Sequence, residues 1–339
     1  MIVIFVHYCR GETTSAAIRL ADLAKASGAS VRFVSTRRIE RPVHPYWDNH
    51  VRIFRTGELL HCRQAVWFDY DAGLQQLLPP AQHFWVPSWR RCRVPALPDP
   101  NLFRRIVCCC RQAREAFLAH WPGQESRIVY CPWDAGVDPV RRHGSVSPGR
   151  IKVYIPMGRT SVYWTSLFML GVLEESLNSC GHLTFTVDSQ CLWDKESRRA
   201  LRQLVKKWPE RLNLKTRSTS TEQLQSFHEH DWTFVPNIQP SFGLAMLRSL
   251  ACSTPVLAYD IPPADVHVAA RCDPLGIIPC SHREGLLGVP IVVPPLIATV
   301  QALQKLSLNG LMDVRAKNWG LEVPRTIFER FWRQEFGID

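Results

Sequence analysis

Two doubly wound α/β domains are the fold this sequence predicts, on three observations. β-rich apolar runs alternate with amphipathic helical segments along most of the chain. The alternation pauses around Val140–Gly149, where Arg, His, Ser, Pro and Gly gather as in a linker. The chain also has 339 residues, more than one core comfortably takes. Strand–helix–strand repeats of this kind fold as parallel sheets with helices on both faces.

The elements follow in order. Met1–Val6 is a continuous apolar run that reads as a buried strand. After the polar segment 7–12, Thr13 or Thr14 can cap a helix whose apolar face is Ala17, Leu20, Ala21 and Ala24, with Gly28 to end it. Val31–Val34 is the next strand. Ala65–Phe68, His83–Val86, part of Leu102–Cys110 and Arg127–Cys131 read as further strands, with a helix at Arg111–His120. The second domain opens at Ile151–Ile155. It continues as helix 166–178, strand Leu183–Val187, helix 195–207, strand Leu212–Leu214, helix 220–228 and strand Trp232–Val235. Helix Leu244–Cys252, strand Pro255–Tyr259, a strand-like Gly276–Pro279 and helices near 296–307 and 324–335 complete it. The expected division is 1–145, 151–320 and a C-terminal helical segment 321–339 that could pack back on the first domain.

Composition narrows the class. Hydrophobic residues make up 46% and charged residues 21%, an ordinary globular balance. The apolar stretches Met1–Val6 and Gly288–Val300 are too short or too Pro-broken to span a bilayer, and no signal peptide is read at Met1, so a cytoplasmic protein is expected. The twelve cysteines form no C-x-x-C pair and read as reduced thiols rather than as a zinc site. There is no G-x-G-x-x-G, P-loop or G-x-S-x-G motif, which argues against a dinucleotide-dependent dehydrogenase, a P-loop NTPase and an α/β-hydrolase. The net charge of +11 is uneven along the chain. Residues 1–150 hold 20 Arg and 1 Lys against 12 acids, net +9; residues 151–339 hold 13 Arg and 7 Lys against 18, net +2.

The run Val235–Asp260 resembles the donor-binding signature of family 4 retaining glycosyltransferases, with Phe242-Gly243-Leu244, Ala251-Cys252, Thr254-Pro255-Val256 and Asp260 in register. Val129–Asp138 is similar to that family's V-x-P-N-G-V-D. Val153–Arg159 resembles its strand followed by G-R, and Leu183–Asp188 its strand leading to V-G-D-G. The resemblance implies the GT-B fold, two Rossmann-like domains facing a cleft, and transfer of a sugar from a nucleotide-sugar. On it, Gly158, Arg159, Asp188, Ser241, Phe242, Gly243, Leu244 and Arg248 are the donor-binding candidates. Arg159 and the Ser241–Leu244 amides would steady the leaving diphosphate. The sequence departs from the family at Pro240 and Arg248, where the family has glutamates, at Trp164, where it has lysine, and at Ser253, where it has glycine.

Other candidates come from the residues themselves. Asp69 and Asp71, after a strand, could position an acceptor hydroxyl or serve only as a strand-end turn. As D-x-D they could hold a metal in a different class of transferase, but no metal or other cofactor is expected here. His7, just past the first strand, is the third catalytic candidate. Gly11 and Trp89, Arg90, Arg91 and Arg93 are the acceptor-side candidates, since mixed Arg and Trp can grip phosphates and stack on bases. The favoured acceptor is hydroxymethylated DNA of the bacteriophage kind, on the strength of the arginine-rich first half. A lipid-linked or lipopolysaccharide acceptor at an anionic membrane surface, or a non-catalytic nucleic-acid or partner-binding protein, are the alternatives.

Overall fold

The structure, a computed structural model, describes all residues except 7–11, 36–50, 54–62, 69, 77, 79–80, 88–91, 93–96, 139–148, 158–162, 190–194, 217, 237–241, 261–275, 285–289, 294, 307–321 and 339. The chain divides into two compact units. The first comprises 1–134, 284–289 and 322–339, and the second 135–283 and 290–321.

The first unit begins with β1 (Ile2–Phe5), α1 (Glu12–Ala26), β2 (Val31–Ser35), β3 (Val51–Ile53) and β4 (Gln64–Trp67). A short α2 (Ala72–Gln76), β5 (Gln82–Trp85), β6 (Arg105–Cys108), α3 (Arg111–His120) and β7 (Ile128–Tyr130) follow. The strands pair in parallel in the order β3-β2-β1-β4-β5-β6-β7. Helix α1 ends as its sequence demands. Gly28 takes φ +79°, and the amides of Gly28 and Ala29 return to the carbonyls of Lys25 and Ala24, both at 2.9 Å. This Schellman closure needs a residue that tolerates the left-handed region. At the other end the helix already includes Glu12, so Thr13 and Thr14 are buried first-turn residues and not caps.

The second unit holds β8 (Ile151–Met157), α4 (Tyr163–Ser179), β9 (Leu183–Ser189), α5 (Lys195–Lys207), β10 (Leu212–Thr216) and α6 (Ser220–Glu229). Then come β11 (Trp232–Val235), α7 (Leu244–Ala251), β12 (Val256–Tyr259), β13 (Ile277–Ile278), β14 (Ser281–Glu284), β15 (Pro290–Val293) and α8 (Leu296–Gln304). Its main sheet is parallel in the order β10-β9-β8-β11-β12-β13, while β14 and β15 pair separately. Thr219 and Glu222 form a reciprocal capping box at the start of α6. The core of this sheet is aliphatic, with Val153, Ile155, Val187 and Leu257 fully enclosed.

The last helix, α9 (Glu322–Phe336), belongs to the first unit. It buries Phe328, Trp332 and Phe336, and Trp332 packs on Trp133 and Phe84 at 6.3 and 5.9 Å between ring centroids. Its polar side is tied down as well. Glu335 receives Arg104 at 2.9 Å and Arg105 at 2.8 Å, and Glu329 receives Arg19 at 3.0 Å. Elsewhere in the unit Phe5 stacks on Trp67 at 3.9 Å. Aromatic faces supply much of this core, each burying a large apolar area.

Candidate functional site

Each sheet has one place where its strand order reverses, between β1 and β4 in the first unit and between β8 and β11 in the second. In open parallel sheets, ligands bind outside the carboxyl ends of the strands at this switch point. The chain leaving β8 at Met157 runs next into Gly158 and Arg159. The chain leaving β11 at Val235 runs through Ser241 to Phe242, Gly243 and Leu244. Gly158, Arg159 and Ser241 lie outside the described residues.

The described half of this second-unit site is built for a sharp entry into α7. Gly243 adopts φ +69° as the residue before the helix, with Phe242 and Leu244 buried on either side as anchors. A residue without a Cβ reverses the chain here at little cost and puts no side chain of its own over the start of the helix. Such a helix start carries partial positive charge, the electrostatic complement of a diphosphate. The far end of α7 is pinned through Ser249, whose hydroxyl donates to Thr233 Oγ1 at 2.7 Å and lies 2.8 Å from the Thr254 carbonyl. Ser253 then takes φ +54°, which accounts for the glycine found at this position in the resembled signature. Arg248, which stands where that signature has a glutamate, donates through Nε to the Ala135 carbonyl at 3.3 Å.

Asp188, at the carboxyl end of β9, is fully buried. Oδ2 accepts from the Tyr154 hydroxyl at 2.7 Å and from Gln223 Nε2 at 3.5 Å, while Oδ1 has no hydrogen-bond partner among the described residues. Burial raises its pKa, opposed by those hydrogen bonds and by the charge of Lys215. Sequence reasoning missed the rest of this polar cluster. His230 is buried: its Nδ1–H donates to the Ser226 carbonyl at 2.6 Å and its Nε2 pairs with Thr186 Oγ1 at 2.8 Å. Its place in a His-Glu-His run beside a helix end would suggest a surface residue, and the packing of β9 against α6 overrules that. The signal that could have found it is the polar alternation Thr184, Thr186, Asp188 within β9, where a strand buried on both faces gives polar side chains only one another.

In the first unit, Asp71 caps α2, its Oδ1 accepting from the Leu74 amide at 3.1 Å. The carboxylate therefore has a local structural task. Among the described residues, no group of three His, Cys, Asp or Glu side chains is placed to hold a metal. His7, Gly11, Asp69, Trp89, Arg90, Arg91 and Arg93 lie outside the described residues. Asp134, in the segment resembling V-x-P-N-G-V-D, is buried and takes the guanidinium of Arg19 together with that of Arg325 at 3.4 Å.

The charge contrast does not survive the fold. Counted by folded unit, the first carries 21 Arg and Lys against 16 Asp and Glu, and the second 20 against 14, so the net charges are +5 and +6. The difference arises because residues 135–150, with three Arg against one Asp, fall in the second unit, while Glu284 and Asp339 fall in the first; α9 itself is neutral, with three acids and three arginines. Several arginines there also serve the fold. Arg19, Arg104 and Arg105 meet carboxylates, while Arg114 and Arg127 donate to the carbonyls of Ile128 and Phe103.

No protein-family model matches the chain, and neither does any curated protein. Solved structures do. A glycosyltransferase from Rickettsia africae superposes with TM-score 0.67 at 10% identity, covering 99% of this chain and 97% of the other. WaaG, a glycosyltransferase involved in lipopolysaccharide biosynthesis, gives 0.61 at 13% identity over 98% and 99%. A trehalose-6-phosphate synthase from E. coli, bound with UDP-2-fluoro glucose, gives 0.62 at 12% identity over 99% and 97%. The architecture is therefore GT-B, two Rossmann-like α/β units of the kind found in these glycosyltransferases.

Proposed function

We propose that this protein is a glycosyltransferase that moves a sugar from a nucleotide-sugar donor to a hydroxyl acceptor, with retention at the anomeric carbon. The observation that carries the reading is the second unit's switch point, where a positive-φ glycine opens a helix in the segment that resembles a donor-binding signature. In this reading Arg159 and the amino end of α7 neutralise the leaving diphosphate as the glycosidic bond breaks, without a metal. Asp188, with Tyr154 and Gln223, fixes the end of β9 beside them. Arg248 supplies no acceptor for ribose hydroxyls, so the donor is held differently from one bound by glutamates.

For the acceptor we propose a saccharide of the cell envelope. WaaG, similar over nearly its whole length, is described as acting in lipopolysaccharide biosynthesis, which supports that reading. Hydroxymethylated DNA, the acceptor expected from charge along the chain, loses its argument when charge is counted by unit. The test is to incubate the protein with a panel of nucleotide-sugars and three acceptors: lipopolysaccharide, lipid-linked saccharide and hydroxymethylated DNA. Mass spectrometry identifies the product, and NMR of the new linkage gives its anomeric configuration. No transfer from any donor to any of the three would sink the proposal, and transfer to DNA alone would restore the other acceptor.

A further inference from the structure

At the amino-terminal edge of the first sheet, opposite the strand ends where a switch-point ligand sits, a cavity of about 520 Å³ opens across β5, β6 and β7. Gln82 and Arg105 are the first residues of β5 and β6, and Arg127 stands just before β7. The backbone there is fixed. The Arg104 amide donates to the His83 carbonyl and the Ile106 amide to the Arg127 carbonyl, both at 2.8 Å. The rim is fixed too: Asp99 caps the short 3₁₀ turn Pro100–Leu102, its Oδ1 accepting from the Asn101 amide at 2.9 Å, and proline suits the first position of such a turn. A space of this size falls in the range of small-ligand sites, roughly 300–1,000 Å³.

Three arginines line it, Arg104, Arg105 and Arg127, and no carboxylate does. Consecutive residues within a strand point to opposite faces, but Arg104 stands just before β6, and its Nε reaches the same carboxylate as that of Arg105. Glu335 of α9 holds the two at 2.9 and 2.8 Å. Arg105 Nη1 also donates to the Ser126 carbonyl at 2.8 Å, and Arg127 Nη1 to the Phe103 carbonyl at 2.7 Å. These contacts fix the guanidinium groups without exhausting them. Among the described residues, Nη1 and Nη2 of Arg104 and Nη2 of Arg105 and Arg127 have no acceptor. A guanidinium already tied on one side loses less freedom when its other side takes a ligand. Three guanidinium groups against the one carboxylate of Glu335 leave a charge of +2. A phosphate monoester, at about −1.5 to −2 near pH 7, is its complement.

We propose that this cavity binds the phosphate monoester of a small hydroxylated molecule, a polyol or sugar phosphate. The arginines hold the phosphate. Gln82, Asn101 and Ser126, all exposed on the lining, offer amide and hydroxyl groups to the ligand's own hydroxyls. A nucleotide fits less well, because Phe103 is fully buried and the His83 ring is engaged by the Trp67 indole, so neither gives a base a face to stack on. Since Glu335 belongs to α9, an occupied cavity ties the last helix to the edge of the sheet. The inference rests on this cavity alone and does not depend on the donor, the acceptor or transferase activity.

The experiment is isothermal titration calorimetry of the full chain with ribose 5-phosphate, inorganic phosphate, ribose and adenosine 5′-monophosphate. Ribose 5-phosphate is expected to bind, inorganic phosphate more weakly, and ribose not at all. Arg104→Gln should weaken ribose 5-phosphate binding about tenfold, and Arg104→Gln/Arg127→Gln roughly 10²-fold, as charge-assisted bonds are lost. Asn101→Ala should weaken it about threefold and leave inorganic phosphate unchanged, since only a hydroxyl contact is removed. Circular dichroism and melting without ligand would show that the variants fold, and the exposed Arg104 keeps the single variant readable if the double one does not. No binding of ribose 5-phosphate, or full binding by Arg104→Gln, would overturn the proposal. So would tighter binding of adenosine 5′-monophosphate or of inorganic phosphate than of ribose 5-phosphate. Binding lost in Arg159→Ala but kept in Arg104→Gln would place the phosphate in the proposed donor site and overturn it as well.

Discussion

Ser253 is the only non-glycine residue with positive φ among those described, and it closes the turn between α7 and β12. A Cβ in the left-handed region crowds the following carbonyl at a cost of about 1–2 kcal/mol. Ser253→Gly is expected to raise unfolding stability by about 0.5–1 kcal/mol, less than the full strain because hydroxyl contacts are given up and the unfolded chain gains freedom. Denaturant melts would show it as a higher midpoint at constant slope. Arg159 is a residue of a different kind, with its role assigned through resemblance. Arg159→Ala should lower turnover by roughly 10²-fold, since a desolvated diphosphate loses a charge-assisted partner. A variant with unchanged kinetics and normal folding would remove Arg159 from the site.

Two histidines link single residues to pH. His83 accepts the Trp67 indole N–H at 3.1 Å through Nδ1, and His230 is enclosed in the second unit; burial lowers both pKa values. A folded-state pKa below the unfolded value means that the neutral form stabilises the fold. That stability is full above about pH 6.5 and is lost as pH falls below it. Asp188, whose folded pKa is raised, works the other way in the acid range, so the histidine effect is read as a difference. The double variant His83→Gln/His230→Gln should show a flatter fall in melting temperature from pH 7 to 5 than the wild type. Parallel curves would show that these rings do not set the acid response.

Among the elements, α9 is held by one large anchor. Trp332 is fully buried and packs against rings from β5 and from the segment after β7. Trp332→Ala should cost about 3–5 kcal/mol, and the loss should fall on the first unit's unfolding transition. If both transitions moved together, the two units would unfold as one. The helices and buried strands were legible in the sequence because their apolar periods are strong: α3, α5 and β11 lie where the periodicity puts them. The short β3 and the pair β14–β15 were not. Three or four residues carry too little pattern to separate a strand from a loop, and their pairing is set by partners distant in sequence. Of the site, Gly243 and the anchors beside it were legible because a turn into a helix constrains residue type. Asp134 and His230 were not, since what holds each is supplied by tertiary packing.

At the scale of the molecule, the two sheets repeat one arrangement, and the second unit supplies the described part of the proposed donor site. Transfer is expected to proceed with EDTA present, because in the proposed reading a cationic side chain and a helix start do the work that a divalent ion does elsewhere. Loss of activity in EDTA with recovery on Mn²⁺ would make Asp69 and Asp71 metal ligands and reverse their assignment.

The first unit is assembled from separate stretches of chain, and its closing piece is made last. A ribosome delivers residues 1–134 long before it reaches Phe328 and Trp332, so for most of synthesis the surface around Phe84 and Trp133 has no cover. The second unit, nearly continuous in sequence, can reach its native state while the first still waits. Birth order and folding order are thus reversed, and the nascent amino-terminal half is the natural client for a chaperone that holds apolar surface until the final helix arrives.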